Sequence, residues 1–471
     1  MIKTTAGAIA LACAATVATA AHAQDSSAQD IARRAIERRA VEAAIWGMPL
    51  VSLDAMRDAF FKNAGARYGD ILYFSKPADW KFQTTTPNSS SLYIYFNFNT
   101  KDGPVVLDFP AAAGAGLFGS ILDAWQVPMA DVGPAGEDHG KGGKYLLLLP
   151  DFQGSVPDGY IPIRSRTYNG YGLFRAIPAG GSAADLKTAI DLVKTMRLQP
   201  LAQAAGQPAT RFIDISGKLF DGIVRFDDTF YDRLARMVEE EPVQTRDMVA
   251  MAQLRSLGIE KGKPFNPPPA TRELLKKAAN TAHVDFMHGL SVGSSFWPNS
   301  QWILSFPNGP KTGFTYELPD RLEIDERARL FFLAYAVPKK LGSATFYTAA
   351  YRDAQGQPLR GDKTYRLRVP PGVPVRQYWA VNVYDLDTAA FFREAPRLSV
   401  DSYDAKVQKN ADGSIDVYFG PNAPAGKTSN WVYTAPGKPW FSMFRFYGPE
   451  KAVFDKTWVL GEIEQLDGNP R

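Results

Sequence analysis

The chain has 471 residues, 45% of them hydrophobic and 22% charged, with a formal net charge of +4 and one cysteine. That length exceeds one ordinary core, and the composition excludes a disordered, fibrous or disulfide-stapled protein. The charge is too slight and too dispersed for a nucleic-acid partner: the densest basic run, Arg33, Arg34, Arg38 and Arg39, is broken by Glu37, followed by Glu42, and reads as a solvated helix face.

In chain order, residues 1–23 read as a secretory leader. Lys3 supplies the positive end, residues 6–20 the apolar stretch, and Ala21-His22-Ala23 the small-x-small cleavage site. Cleavage near Ala23 removes Lys3, taking the formal charge from +4 to +3, and also removes Cys13. The remainder holds three imidazoles, His139, His283 and His288, and no thiol, which excludes cysteine nucleophiles and iron–sulfur clusters. Beyond the leader no apolar run approaches the ~18–20 residues of a membrane span, 330–337 being the longest. The expectation is a periplasmic or secreted protein with no transmembrane segment.

Residues 28–51 carry apolar residues at helical spacing, with Gly47 and Pro49 expected to end the helix. From 71 to 175 the texture is β: strands are expected at 91–98, 105–109, 117–122, 145–149 and 171–177, with turns at Asp102-Gly103-Pro104, Gly133-Pro134 and Pro157-Asp158-Gly159. Residues 180–290 read mostly as helix, opened by a Ser182/Asp185 capping box, with helices at 227–240, 244–257 and 271–289, and a last one at 324–337. From 345 to 464 strands return, at 365–369, 378–384, 415–419 and 443–447, with Asp412-Gly413 as a hairpin signal. The two β-rich ends are alike in texture, but no duplication is legible. The expected fold is α+β and β-rich: two β-sandwich or jelly-roll-like domains, 24–200 and 341–471, with a helical connector at 201–340 and a ligand cleft between the domains.

The residues also carry a resemblance. Ala44-Ile45-Trp46-Gly47-Met48-Pro49, Thr86-Pro87-Asn88 before Leu92-Tyr93, Gly103-Pro104-Val105, Gly143-Lys144-Tyr145 and Arg164-Ser165 stand in the first half. Tyr351-Arg352-Asp353, Tyr378-Trp379, Asn382-Val383-Tyr384-Asp385, Asp412-Gly413-Ser414, Asn430-Trp431 and Arg445-Phe446-Tyr447-Gly448-Pro449 stand in the second. In this order they resemble bacterial proteins carrying DUF1254 and DUF1214 in tandem. The resemblance implies a β-rich, two-domain fold with a helical insert and no assigned activity. The family pattern Asn-x-Asp-Thr stands here as Asn88-Ser89-Ser90-Ser91, so Ser90 replaces the acid.

His283 and His288 are five apart, about 140° round a helix, and do not share a face as a zinc pair does. His139 lies in a polar, glycine-rich loop where Glu137 or Asp138 can orient it; the loop lacks the P-loop spacing, and no G-x-S-x-G elbow occurs. Asp123 and Asp385, with Asp387, sit at strand ends, where carboxylates serve acid–base chemistry or hold Mg²⁺ or Ca²⁺; the competing reading is an aspartate bonded to its own turn. Asp123, His139 and Asp385 are therefore the catalytic candidates. Arg164, Arg352 and Arg445 suit an anionic group. Nine tryptophans and twenty tyrosines offer ring platforms for a small-molecule or glycan ligand, although most rings in such a fold are core. Asn88, Tyr93, Trp125, Arg164, Tyr351, Trp379, Tyr384 and Arg445 form the expected binding set. No cofactor is legible beyond a divalent metal at the carboxylates. The readings left open are a hydrolase-like enzyme acting on an ester, sulfate or glycan, a non-catalytic binding module, and a homo-oligomeric structural protein.

Overall fold

The computed structural model describes residues 27–180, 182–206, 209–304, 308–340 and 345–466. The expected leader, with Cys13, lies outside the described residues.

Helix α1, Ala28–Lys62, opens at Ser27, whose hydroxyl accepts the Asp30 amide at 3.1 Å. It does not stop at Gly47 or Pro49 as expected. A proline inside a helix costs ~3 kcal/mol, but residues 43–57 are buried without a break, so packing outweighs that loss. The Pro49 carbonyl is itself used, accepting from Gln126 Nε2 at 2.9 Å. Gly47 is required for close approach: a Cβ there would lie 2.6 Å from Leu234 Cδ1.

Two sandwiches follow. The first contains β1 (Leu92–Asn99), β2 (Val105–Phe109), β3 (Ala115–Asp123), β4 (Pro128–Val132), β5 (Gly143–Leu148), β6 (Tyr160–Arg164), β7 (Asn169–Pro178) and β8 (Arg197–Pro200). The second contains β9 (Thr345–Ala350), β10 (Tyr365–Val369), β11 (Val375–Asp385), β12 (Ser399–Asp401), β13 (Ile415–Gly420), β14 (Trp431–Tyr433), β15 (Trp440–Pro449) and β16 (Ile463–Gln465). In the first, β1-β7-β3-β4 make the large sheet and β8-β2-β5-β6 the small one; in the second, β9-β15-β11-β12 and β16-β10-β13-β14 repeat both orders. The directions repeat as well: β5–β6 and β13–β14 are parallel, and the other pairs are antiparallel. The domains are thus the same eight-strand topology used twice. In register Arg175 faces Tyr93 across β7–β1, and Arg445 faces Tyr347 across β15–β9.

The sheets differ at their edges. Ile71–Tyr73 and Phe212–Asp214 extend the first large sheet; Ile303–Leu304 and Ser294–Ser295 extend the second. The connector is therefore not wholly helical. Its longer helices are α3 (Thr229–Glu240), α4 (Met248–Arg255), α5 (Pro269–Leu290) and α6 (Ile324–Leu333), after α2 (Ala183–Val193), which has the expected Ser182/Asp185 capping box. Asp412-Gly413 makes a turn, with the Asn410 amide donating to the Ser414 carbonyl, but it leads into β13 rather than joining two paired strands.

Each large sheet is buried on both faces. In β1, Ile94, Phe96 and Phe98 enter the first sandwich core, whereas Tyr93 and Tyr95 face a central cluster built with α1, α3, α5 and α6. In β15, Phe444 and Phe446 enter the second sandwich core while Phe441 and Met443 face the centre. Double burial explains why these strands read as nearly continuous apolar runs.

Candidate functional site

The two large sheets and the segment preceding β1 bring a tyrosine–arginine cluster together. Asn88, 0% exposed, is its hinge. Its amide N–H donates to Tyr93 Oη at 2.8 Å, and its Nδ2 donates to Tyr378 Oη at 3.1 Å and to Tyr447 Oη. Tyr378 and Tyr447 stack with centroids 4.1 Å apart. Arg445, 2% exposed, donates through Nη2 to the Thr86 carbonyl at 2.6 Å and to Tyr384 Oη at 2.7 Å; Tyr384 in turn donates to the Pro87 carbonyl at 2.6 Å. The Arg445 guanidinium lies 4.5 Å from the Tyr347 ring centroid, and that of Arg175 lies 5.4 Å from the Tyr93 centroid. Each arginine thus rests on the tyrosine opposite it in register.

The electrostatics are unusual. Among the described residues neither guanidinium has a carboxylate ion-pair partner; the groups acting on both are tyrosines. Both Nε atoms are buried and unpartnered. Burial opposes the charge on each, but the surrounding phenols, where they ionise, outweigh it and raise both guanidiniums above the ordinary value. The counter-effect falls on Tyr347. Burial raises its phenol, yet Arg175 and Arg445, with hydrogen bonds from Thr345 and Tyr447, outweigh that and bring it down to about 8. Burial keeps Tyr378, Tyr384 and Tyr447 above the ordinary phenol value. Arg175 and Tyr347 are partly buried rather than sealed, so this end of the cluster lies nearer solvent than Arg445.

Of the expected binding set, Asn88, Tyr93, Tyr384 and Arg445 meet here. Arg175, Tyr347, Tyr378 and Tyr447 join them without having been singled out as binding residues from sequence. Tyr351 faces the same interior, stacked on Phe441 at 5.1 Å, with its hydroxyl buried and unpartnered. Trp379 points the other way into the second sandwich core, stacked on Phe444 at 5.4 Å, because successive strand residues alternate faces. Trp125 packs against Trp46 at 5.0 Å, beneath the Arg327 guanidinium at 4.7 Å. Arg164 is exposed on the small sheet and bonds the Phe152 carbonyl at 3.2 Å; Arg352 bonds the Gly356 carbonyl of its own turn at 3.0 Å.

The three catalytic candidates do not converge. Asp123 and Asp385 occupy equivalent ends of β3 and β11, each five residues past the position opposite its arginine, or about 17 Å at ~3.4 Å per residue. Asp123 Oδ1 accepts the Val127 amide and Asp385 Oδ1 the Asp387 amide, both at 2.9 Å. Burial raises both carboxyls to about 6. These are the bonds of turn aspartates. His139 is exposed on the β4–β5 loop; the loop is organised instead by buried Asp138, which accepts from the Gly133 and Gly142 amides and from Tyr145 Oη. His283 stacks on Phe226 at 4.3 Å, within the helical packing. Among the described residues no group of three or more histidines, cysteines or carboxylates suits a metal ion. Ser90, standing where the family pattern has an acid, donates to Asp401 Oδ2 at 2.7 Å.

The fold and site define a class: paired sandwiches of one topology, with a tyrosine–arginine cluster drawn from both. The chain is a tandem DUF1254/DUF1214 protein. The DUF1254 family, described as a protein of unknown function, matches residues 70–200, and DUF1214, described likewise, matches 344–451. The matched regions contain every residue of the cluster. The crystal structure of the VPA0106 protein from Vibrio parahaemolyticus is similar at 17% identity and a TM-score of 0.54, covering 92% of this chain and 100% of that one. A Burkholderia cenocepacia protein is similar at 12% identity and a TM-score of 0.41, over 92% and 95% of the two chains. No curated protein matches the chain. Among the described residues no helix is long and apolar enough to cross a membrane.

Proposed function

We propose that this is an exported protein that binds a small organic anion, a carboxylate or a sulfate or phosphate ester, against Arg175 and Tyr347 between the two large sheets. The observation carrying this reading is the pair of guanidiniums, Arg175 and Arg445, that share no carboxylate partner among the described residues and both act on Tyr347. An anion entering there supplies the charge the site lacks and meets donors already held in place. Export rests on the leader pattern of residues 1–23; cleavage after Ala23 leaves the Ser27 cap of α1 intact.

A hydrolase-like activity is the second reading, favoured by Tyr347: a phenol near 8 beside an anion site is suited to proton transfer. Calorimetric titration with benzoate, sulfate and phenyl phosphate tests the first reading. Binding by the wild type that weakens at least tenfold in Arg175→Met supports it. Failure of every anion to bind, or unchanged affinity in Arg175→Met, overturns it. Turnover of phenyl acetate or phenyl phosphate, lost in Tyr347→Phe, tests the second.

A further inference from the structure

A separate groove of about 360 Å³ opens where α1, α3 and the end of β1 meet. Arg57, Asp58 and Phe61 come from α1, Arg236 and Glu240 from α3, and Asn99 and Tyr68 complete the wall. The volume lies within the ~300–1,000 Å³ of small-molecule sites.

Its floor is braced. Buried Arg57 donates to Asp54 Oδ1 at 2.7 Å, to Asn169 Oδ1 at 2.9 Å, and to both Glu240 oxygens. Tyr68 Oη and Asn99 Nδ2 also donate to Asn169 Oδ1, each at 2.8 Å, and Asn169 Nδ2 donates to Glu240 at 2.8 Å. The polar heads are therefore fixed before any ligand arrives.

The charges around the groove balance. Arg57, Arg233 and Arg236 stand against Asp54, Asp58 and Glu240; Lys62 sits on Asp58, and behind Asn169 lies Glu241, whose carboxyl burial raises to about 7. A simple anion would meet two wall carboxylates, and a simple cation two wall arginines. What the wall offers is donors and acceptors in alternation beside an aromatic ring: Tyr68, 41% exposed, is held edge-on to Phe61 at 5.2 Å. A ligand that is uncharged, rich in groups that both donate and accept, and faced with C–H bonds satisfies all of these together.

We infer that this groove binds a neutral polyhydroxylated ring, a monosaccharide unit or cyclic polyol, with Tyr68 against its C–H face and Asp58, Arg236 and Glu240 on its hydroxyls. The inference is independent of the anion site, which lies among other residues.

Saturation-transfer NMR and calorimetry with glucose, galactose, N-acetylglucosamine and myo-inositol, with inorganic phosphate as the charged control, test it. At least one of the four is expected to bind, with Tyr68→Ala weakening it about tenfold, while Arg175→Met leaves it unchanged. Arg236→Ala, at a half-exposed position, provides a second variant if Tyr68→Ala fails to fold. The inference is overturned if none of the four binds at millimolar concentration, if binding survives both groove variants, or if phosphate displaces the sugar.

Discussion

Tyr347 is the phenol whose ionisation this fold favours, and titrating it probes the whole tyrosine–arginine cluster. Its descent from 10.0 to about 8 corresponds to about 3 kcal/mol in favour of the phenolate. The groups facing it are Arg175, Arg445, Tyr447 and Tyr378, of which only the arginines carry charge at neutral pH. A spectrophotometric titration following the tyrosinate ultraviolet band should show one phenol with a midpoint near 8, absent in Tyr347→Phe and displaced upward in Arg175→Met. The sign for stability follows from the depressed value. Between about 8 and 10 the unfolded chain holds the proton and the folded chain does not, so stability rises with pH by up to about 3 kcal/mol. That contribution is complete above the unfolded value and is lost as pH falls through about 8. The neighbouring phenols, all raised, act in the opposite direction and only above 10. A wild-type titration without any phenol below the ordinary range, or a low midpoint that persists in Tyr347→Phe, would refute the reasoning.

Asp123→Asn keeps the acceptor for the Val127 amide but removes a carboxyl that burial raises from 3.8 to about 6. Folded Asp123 holds its proton where the unfolded chain has lost it, so wild-type stability falls across that window; denaturant unfolding at about pH 8 should find the variant more stable by about 3 kcal/mol. Ser90→Asp sets a carboxylate against Asp401, and its melting temperature should drop at neutral pH and recover near pH 4, where one of the pair is protonated. Arg445→Met leaves the Thr86 carbonyl and the Tyr384 hydroxyl without their charged donor, a loss of about 3 kcal/mol measurable by denaturant unfolding. Gly47→Ala drives a Cβ to 2.6 Å from Leu234 Cδ1; the leucine must change rotamer, lowering stability by about 1–3 kcal/mol in the same assay.

Much of the fold is legible in the sequence because strand and helix periodicities leave direct marks. The strands at 105–109 and 365–369 match Val105–Phe109 and Tyr365–Val369 residue for residue. Pro49 misleads because its local penalty is visible while the burial that overrides it comes from segments hundreds of residues away. The repeated topology is hidden for a related reason: equivalent positions such as Phe118 and Ala380 share a register, not a side chain.

The site is legible only in part. Asn88, Tyr93, Tyr384 and Arg445 stand in quotable motifs, whereas Arg175 lies in an ordinary strand. Its signal is positional: Tyr171, Leu173 and Arg175 share one face of β7, and a charge on the buried face of a central strand needs a reason. Trp379 shows the converse error, since choosing it over Tyr378 moves by one residue and changes the face of the sheet. Asp123 and Asp385 read as strand-end acids in sequence and are so in space, but a strand end can be mounted far from the cluster it was expected to serve.

The doubled sandwich also bears on how the cluster can vary. Were the two halves separate copies meeting across a twofold axis, every substitution on the facing sheets would be introduced twice. In one chain each change is made once, and the linker keeps the halves at high effective concentration whatever the contact between them is worth. That freedom is already used: Arg445 is sealed beneath Tyr384 and Thr86, while its counterpart Arg175 is only partly buried. One half can serve as anchor and the other as doorway, a division of labour closed to a symmetric pair.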